Sequence, residues 1–187
     1  MRIFKTRKKT IYSSITIVLC ILLMSCKTYT IKEKDRKLIP YAGSEVLHFK
    51  SDSSKEETLQ LLYYDTSMNE SGDNIFTKNT REQLKLIVKN TSNGLNREEL
   101  FCFLVATPER GLVLEVLLWD FASSGFTGDI YISDLKPTDY IKYKQYDDVI
   151  AIKNTRENKT IPTVYWSLSK GLVKVESTVY GTYELVE

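Results

Sequence analysis

Few residues of this chain have types and spacing suited to catalysis. His48 is the only histidine and Cys102 lies within an apolar run, so Ser-His and Cys-His catalysis both lack a set of partners. The single histidine also excludes a histidine-based zinc site. No glycine-rich phosphate-binding loop is present. The sequence therefore argues against an enzyme and predicts neither a metal site nor a cofactor.

Glu115 and Trp119 are the residues of the body that favour a ligand-binding interpretation. Glu115 stands in the apolar run 113–117, where burying a carboxylate is costly unless it is paired or protonated. The alternative is a Glu115 that faces a partly solvated side or pairs with a lysine across the sheet. Trp119 and Phe121 stand at a strand end, where aromatic residues line a cavity mouth or belong to ordinary core. Catalysis by Glu115 would need a second acid in the same cleft.

Residues 65–73 carry oxygen-bearing side chains at alternate positions, as calcium loops do. Glu70, however, occupies the position where the EF-hand pattern needs glycine. We therefore expect a polar hairpin loop here rather than a metal site.

The amino terminus has the three parts of a secretory signal: a basic cluster, an apolar run at residues 11–24, and the small residue Ser25 before Cys26. The apolar run of 14 residues would span about 21 Å as a helix. This is short of the roughly 30 Å hydrocarbon core of a bilayer. The alternative is an uncleaved anchor helix with Cys26 beside the membrane. Either way, the body is tethered to a membrane.

Leu23-Met24-Ser25-Cys26 resembles the lipobox of bacterial lipoprotein precursors. The resemblance implies that a signal peptidase reads Leu23 and Ser25 and cuts before Cys26, whose sulfur and new amino terminus are acylated. It divides the chain into a signal peptide (1–25), a lipidated cysteine with a tether (26–40) and a β-rich domain (41–187). In this family an aspartate directly after the cysteine is often found in lipoproteins that stay in the inner membrane. This chain has Lys27 at that position, so the resemblance favours delivery to the outer membrane. The lack of an acidic cluster after the cysteine favours its periplasmic face over the cell surface.

Cleavage changes the charge of the chain. The first 25 residues hold five of the 26 Lys and Arg residues and none of the 24 Asp and Glu residues, so the remainder has a net charge of −3. A nucleic-acid partner is therefore not expected. The basic residues between positions 32 and 37 are interpreted as a solvated tether, with a lipid-headgroup patch as the alternative. Cys102 remains as a lone cysteine, which we interpret as a small core residue.

The body reads as β-strands almost throughout, because short runs of β-branched and aromatic residues alternate with turn residues and no helical period is sustained. The pattern predicts an all-β fold: a single antiparallel β-meander domain, forming a curled sheet or open barrel. Eleven strands are predicted, at residues 45–50, 58–64, 83–90, 100–106, 112–119, 129–133, 140–146, 149–153, 163–169, 172–176 and 182–186. The strand at 112–119 is apolar on both faces except at Glu115, so we expect a central strand.

A second resemblance concerns the body. Trp166-Ser167, the segments 170–176 and 183–185, and the opening segment 43–51 are similar to small β-rich lipoproteins of Bacteroidetes. This family has no assigned chemistry that can be carried over to any residue here.

The sequence thus predicts a membrane-anchored cell-envelope lipoprotein that acts by binding or as an assembly component. The alternative is a carrier of a lipid, glycan or other small apolar ligand in a cavity of the curved sheet. The expected partners are the membrane, through the lipid on Cys26, and either an envelope protein or a small apolar ligand. Whether the folded domain offers a cavity separates these two roles.

Overall fold

The computed structural model describes residues 27–71, 79–91, 97–122, 124–156 and 160–186, with Ser71 and Asp120 described by their backbone only. Strands make up 64% of the described chain. The strands are β1 (Thr28–Tyr29), β2 (Val46–Ser51), β3 (Glu56–Ser71), β4 (Asn79–Asn90), β5 (Glu98–Thr107), β6 (Gly111–Phe121), β7 (Ser124–Tyr131), β8 (Ile141–Tyr143), β9 (Tyr146–Lys153), β10 (Thr163–Ser167), β11 (Gly171–Ser177) and β12 (Gly181–Leu185). The helical elements are one turn of α-helix, α1 (Glu33–Arg36), and two 3-10 turns, Ile132–Asp134 and Pro137–Asp139.

The twelve strands form one sheet in the order β7-β6-β5-β4-β3-β2-β12-β11-β10-β9-β8, with β1 attached to β4. Pairing is antiparallel between sequence neighbours, and β12 returns to pair with β2. The sheet curls into a half-barrel. The all-β antiparallel meander predicted from the sequence is confirmed, and each of the eleven predicted strands corresponds to one of β2–β12.

Side-chain alternation places the core on the concave face of the sheet. On β4, for example, Leu84, Leu86 and Val88 are buried and the residues between them are partly exposed. The interior of the curl is filled by large side chains that are almost fully buried, namely Trp166, Tyr183, Phe49, Phe101, Phe121 and Phe126. The prediction that β6 is covered on both faces is confirmed, because Leu114 and Val116 lie in this core while Val113 and Leu117 are buried on the opposite face.

The segment 65–71 differs from the polar hairpin loop that the sequence predicts. It continues β3, and Asp65 through Ser71 pair in register with Lys85 through Asn79 of β4. The Lys85 ammonium lies 3.8 Å from the Asp65 carboxylate across this ladder. For residues 65–71 the loop prediction was therefore wrong, because backbone pairing with β4 holds these polar residues in an extended strand. The remaining two residues of the predicted loop lie outside the described residues.

The two ends of the curled sheet approach each other along a seam between β7 and the end of β9. The Thr155 amide donates to the Thr127 carbonyl at 2.8 Å, and the Thr155 hydroxyl donates to the same oxygen at 2.9 Å. Gly128 makes this approach possible, because a Cβ at this position would lie 2.6 Å from the Lys153 carbonyl oxygen and 2.7 Å from Ile152 Cγ2. The seam therefore depends on glycine at one position of β7.

Candidate functional site

Residues 27–43 form a strap that runs across one end of the curled sheet, from β4 to the turn between β10 and β11. It begins with β1, which pairs in parallel with Thr80 and Arg81 of β4. Ile31 and Ile39 are only 5% and 3% exposed. This differs from the solvated tether that the sequence predicts for residues 26–40, because the described part of that segment buries apolar side chains against the sheet.

A buried carboxylate on β4 holds the first half of the strap. Glu82 points into the concave face, where its Oε2 accepts a hydrogen bond from the Ile31 amide at 2.8 Å. Its Oε1 is paired with the Arg36 guanidinium. A buried carboxylate is tolerated only with such partners, so Glu82 and Arg36 together fix the position of α1.

Three aromatic residues hold the second half of the strap. The Trp166 indole donates to the Leu38 carbonyl at 3.1 Å, and the Tyr64 hydroxyl donates to the Tyr41 carbonyl at 2.5 Å. The Tyr41 hydroxyl accepts a hydrogen bond from the Leu172 amide at 2.7 Å. Burial raises the pKa of Tyr41 well above its usual value, so its hydroxyl stays protonated.

Gly171 provides the space for Tyr41. Its φ is +89°, and a Cβ there would lie 2.2 Å from the Tyr41 hydroxyl oxygen. Both the backbone conformation and the close approach therefore require glycine at the start of β11.

The turn after Tyr41 is closed by the side chain of Glu45. Its carboxylate accepts hydrogen bonds from the amides of Ala42, Gly43 (2.8 Å) and Ser44 (3.0 Å). Burial of Glu45 opposes ionisation, but these backbone amides outweigh it and lower the pKa of the carboxyl. The strap is thus tied to the sheet at both of its ends.

An open groove of about 820 Å³ lies between the strap and the sheet. Its volume falls within the 300–1,000 Å³ range that is typical of small-molecule sites. The walls are mainly apolar and aromatic. The lining residues are Arg36, Lys37, Ile39, Pro40, Tyr41, Tyr64, Thr66, Leu84, Leu168 and Ser169.

Glu115 lies away from this groove. It alternates along β6 with the core residues Leu114 and Val116, so it stands on the convex face, and its register partner on β7 is Asp129. Desolvation by partial burial, and then the charge of Asp129, raise the pKa of Glu115. Among the described residues, no cation lies within ion-pair distance of its carboxylate. The sequence allowed Glu115 either to face a partly solvated side or to pair with a lysine across the sheet. The described residues agree with the first of these alternatives.

Trp119 lies at the end of β6 and is 37% exposed. The Arg156 guanidinium stacks over its ring at 4.3 Å from the ring centroid and donates to the Thr127 hydroxyl at 2.9 Å. Trp119 is four residues from Glu115, about 13 Å along a strand. The structure therefore does not bring the two candidate ligand-binding residues together, and neither lines the strap groove.

Cys102 is a free, fully buried cysteine of the core, and burial raises the pKa of its thiol. The interpretation of Cys102 as a small core residue is confirmed. Leu23, Ser25 and Cys26 lie outside the described residues.

A second recess, of about 410 Å³, lies near the seam and contains Asp129, Asp134 and Asp139. Asp139 accepts a hydrogen bond from the Lys136 amide and so closes a 3-10 turn. Within the described ranges, no group of three His, Cys, Asp or Glu side chains is placed to hold a metal ion.

Sequence reasoning missed the residues that form the groove. Leu84 and Leu168 belong to predicted strands, but nothing in their own runs indicates that they border an opening. A signal was available in Ile31 and Ile39, two isoleucines that flank the charged run at residues 32–37.

Comparison with known proteins adds no relative. No family model, curated protein or solved structure matches this chain. In the part of the chain that the structure describes, no helix has the length and hydropathy needed to cross a bilayer.

Proposed function

We propose that this chain is a lipid-anchored protein of the cell envelope, attached through Cys26 to the periplasmic face of the outer membrane. The proposal rests on the basic cluster, the short apolar run and the lipobox-like Leu23-Met24-Ser25-Cys26. Two or three acyl chains hold a protein on a bilayer far more firmly than one, since each buried methylene contributes about 0.8 kcal/mol.

Metabolic labelling tests the anchor. Cells that express the full chain are fed an alkyne-bearing palmitate, and we expect label on the wild type, none on Cys26→Ala, and undiminished label on Cys102→Ala. Cys102→Ala is the matched control because it removes the buried core cysteine and leaves Cys26 in place. Equal labelling of wild type and Cys26→Ala would contradict the proposal.

We further propose that the anchored domain binds an apolar or amphipathic small molecule in the strap groove. The observation that carries this proposal is an open groove of about 820 Å³ with apolar walls in a domain whose interior is otherwise filled by aromatic side chains. This geometry favours the ligand-carrier alternative over a purely assembly role. The ligand would lie against Ile39, Leu84 and Leu168 at the end of the curl, outside the packed core.

Photolabelling tests the groove. The full lipidated chain is incorporated into phosphatidylcholine vesicles with hexadecanol that carries a mid-chain diazirine, and the adducts are mapped by peptide mass spectrometry. We expect adducts concentrated on peptides that contain Ile39, Leu84 and Leu168. Substitution Leu168→Trp fills the groove from the turn between β10 and β11. Forcing a ligand into a filled apolar site costs about 1 kcal/mol or more, so these adducts should fall at least about fivefold.

The control is Val179→Trp, which places the same bulk at an exposed position in the turn between β11 and β12. This variant should keep the labelling of wild type. Adducts spread evenly over the convex face, or a pattern that Leu168→Trp leaves unchanged, would overturn the groove as the binding site.

A further inference from the structure

Two cationic side chains line the rim of the strap groove. Arg36 and Lys37 both line it, and Lys37 is exposed. Glu82 and Glu33 offset the charge of Arg36, with the Glu33 carboxylate 3.5 Å from the Arg36 Nε. Both of these carboxylates pair with Arg36 and not with Lys37, so Lys37 is the cation at the rim that is open to a ligand. An apolar groove with a cation at its mouth is complementary to a molecule with an apolar chain and an anionic head.

The groove also lies at the end of the domain where the chain leaves toward Cys26. The Lys27 carbonyl accepts a hydrogen bond from the Thr80 amide at 2.9 Å, and Thr28 pairs with Thr80. Thr80 is four residues from Leu84 on β4, which is about 13 Å along the strand. Residue 27, which follows Cys26 in the sequence, is thus fixed on the sheet at this end of the domain.

We propose that the strap groove takes a single-chain amphiphile with an anionic head group directly from the bilayer, with the chain against Leu84 and Leu168 and the head group at Lys37. This inference rests on the proposed function, because it assumes both the lipid on Cys26 and ligand binding in the groove. It adds the class of ligand and its source. Lys37 acts as the residue that selects charge, and the apolar wall accepts the chain whatever its head group.

The test compares two probes that share one alkyl chain and differ in the head group: hexadecyl phosphate and hexadecanol, each with the same mid-chain diazirine. Both are placed in the vesicles that hold the full lipidated chain. We expect the phosphate to label the groove peptides about tenfold more than the alcohol, since one charge-assisted hydrogen bond is worth about this factor. Substitution Lys37→Glu should remove that preference.

The matched control is Lys55→Glu, which makes the same charge change at an exposed position in the turn between β2 and β3. It should keep the preference for phosphate. Equal labelling by the two probes, or an equal loss of preference in both variants, would overturn the inference while ligand binding in the groove stands. If neither probe labels the groove, the proposed function itself fails, so the two failures are distinguishable.

Discussion

Glu115, a candidate ligand-binding residue from the sequence, stands on the convex face of the sheet and away from the strap groove. Its carboxylate stands opposite Asp129, and both desolvation and that like charge raise its pKa. A carboxyl group whose pKa is raised by folding favours the folded state while it is protonated. That contribution is lost as the pH rises through the folded-state pKa.

We therefore predict that Glu115→Gln stabilises the protein at pH 7.5 by about 0.2–1 kcal/mol, because it removes a like-charge pair across two strands. The gain should vanish at pH 4, where the wild-type carboxyl is already protonated. Thermal unfolding at the two pH values measures it.

Glu109→Gln is the control for this substitution, because Glu109 is exposed in the turn between β5 and β6. It should leave stability unchanged at both pH values. A loss of stability in Glu115→Gln at pH 7.5 would mean that the Glu115 carboxylate has a favourable partner, contrary to our account.

At the scale of elements, the strap depends on Glu82. We predict that Glu82→Gln destabilises the protein by about 1–3 kcal/mol, because the charged acceptor for Arg36 and for the Ile31 amide is lost. Hydrogen exchange should show faster exchange in residues 27–41 and little change in β9–β11.

Glu33→Gln is the matched control. Glu33 also pairs with Arg36, but its side chain is 91% exposed, so its ion pair should contribute about 0–1 kcal/mol. If exchange in the strap stays slow in Glu82→Gln, the strap is held by Trp166, Tyr64 and Tyr41 alone, and the role assigned to Glu82 is wrong.

The seam between β7 and β9 provides a second test at this scale. We predict that Gly128→Ala destabilises the fold by about 1–3 kcal/mol, because the new methyl group would meet the Lys153 carbonyl and Ile152. Urea unfolding followed by tryptophan fluorescence measures the change.

Gly125→Ala makes the same substitution three residues earlier on β7. There the new Cβ meets the end of the flexible Arg156 side chain, which can move. Its stability should stay close to that of wild type. Equal stability of Gly128→Ala and wild type would show that β7 and β9 do not pack together in solution.

The elements differ in how well the sequence predicts them. Strands β2, β4 and β9–β12 follow from alternating apolar residues, which the concave core demands. The second half of β3 and the start of β7 were missed, since Asp65–Ser71 is polar and Ser124-Gly125 reads as a turn. In both places pairing with a neighbouring strand determines the extended conformation. The residues of one segment alone do not show which strand it will pair with, so the strand could not be predicted there.

The groove could not be predicted for a related reason. It forms where residues 36–41, β3, β4 and the turn after β10 meet, and these segments are far apart in the sequence. The Glu82 and Tyr41 contacts that hold the strap are equally long-range. The local pattern of apolar residues identifies the strands. The groove, in contrast, exists only because the strap crosses those strands.

At the scale of the whole molecule, three features lie at one end of the half-barrel. They are the attachment of residue 27 to β4, the apolar groove and the cation at its rim. After the proposed cleavage the chain has a net charge of −3, whereas residues 27–41 hold five Lys and Arg residues against two Asp and Glu residues. Such an arrangement suits a domain that rests on the bilayer and exchanges a ligand with it.

The most direct test of this account is native mass spectrometry of the full lipidated chain, extracted gently from its own membranes. We expect the wild type to carry one noncovalent adduct with the mass of a small anionic amphiphile, and Leu168→Trp to carry none. A wild-type chain that is bare under conditions that preserve its fold, or an adduct that Leu168→Trp retains in full, would contradict the claim that the strap groove is the binding site.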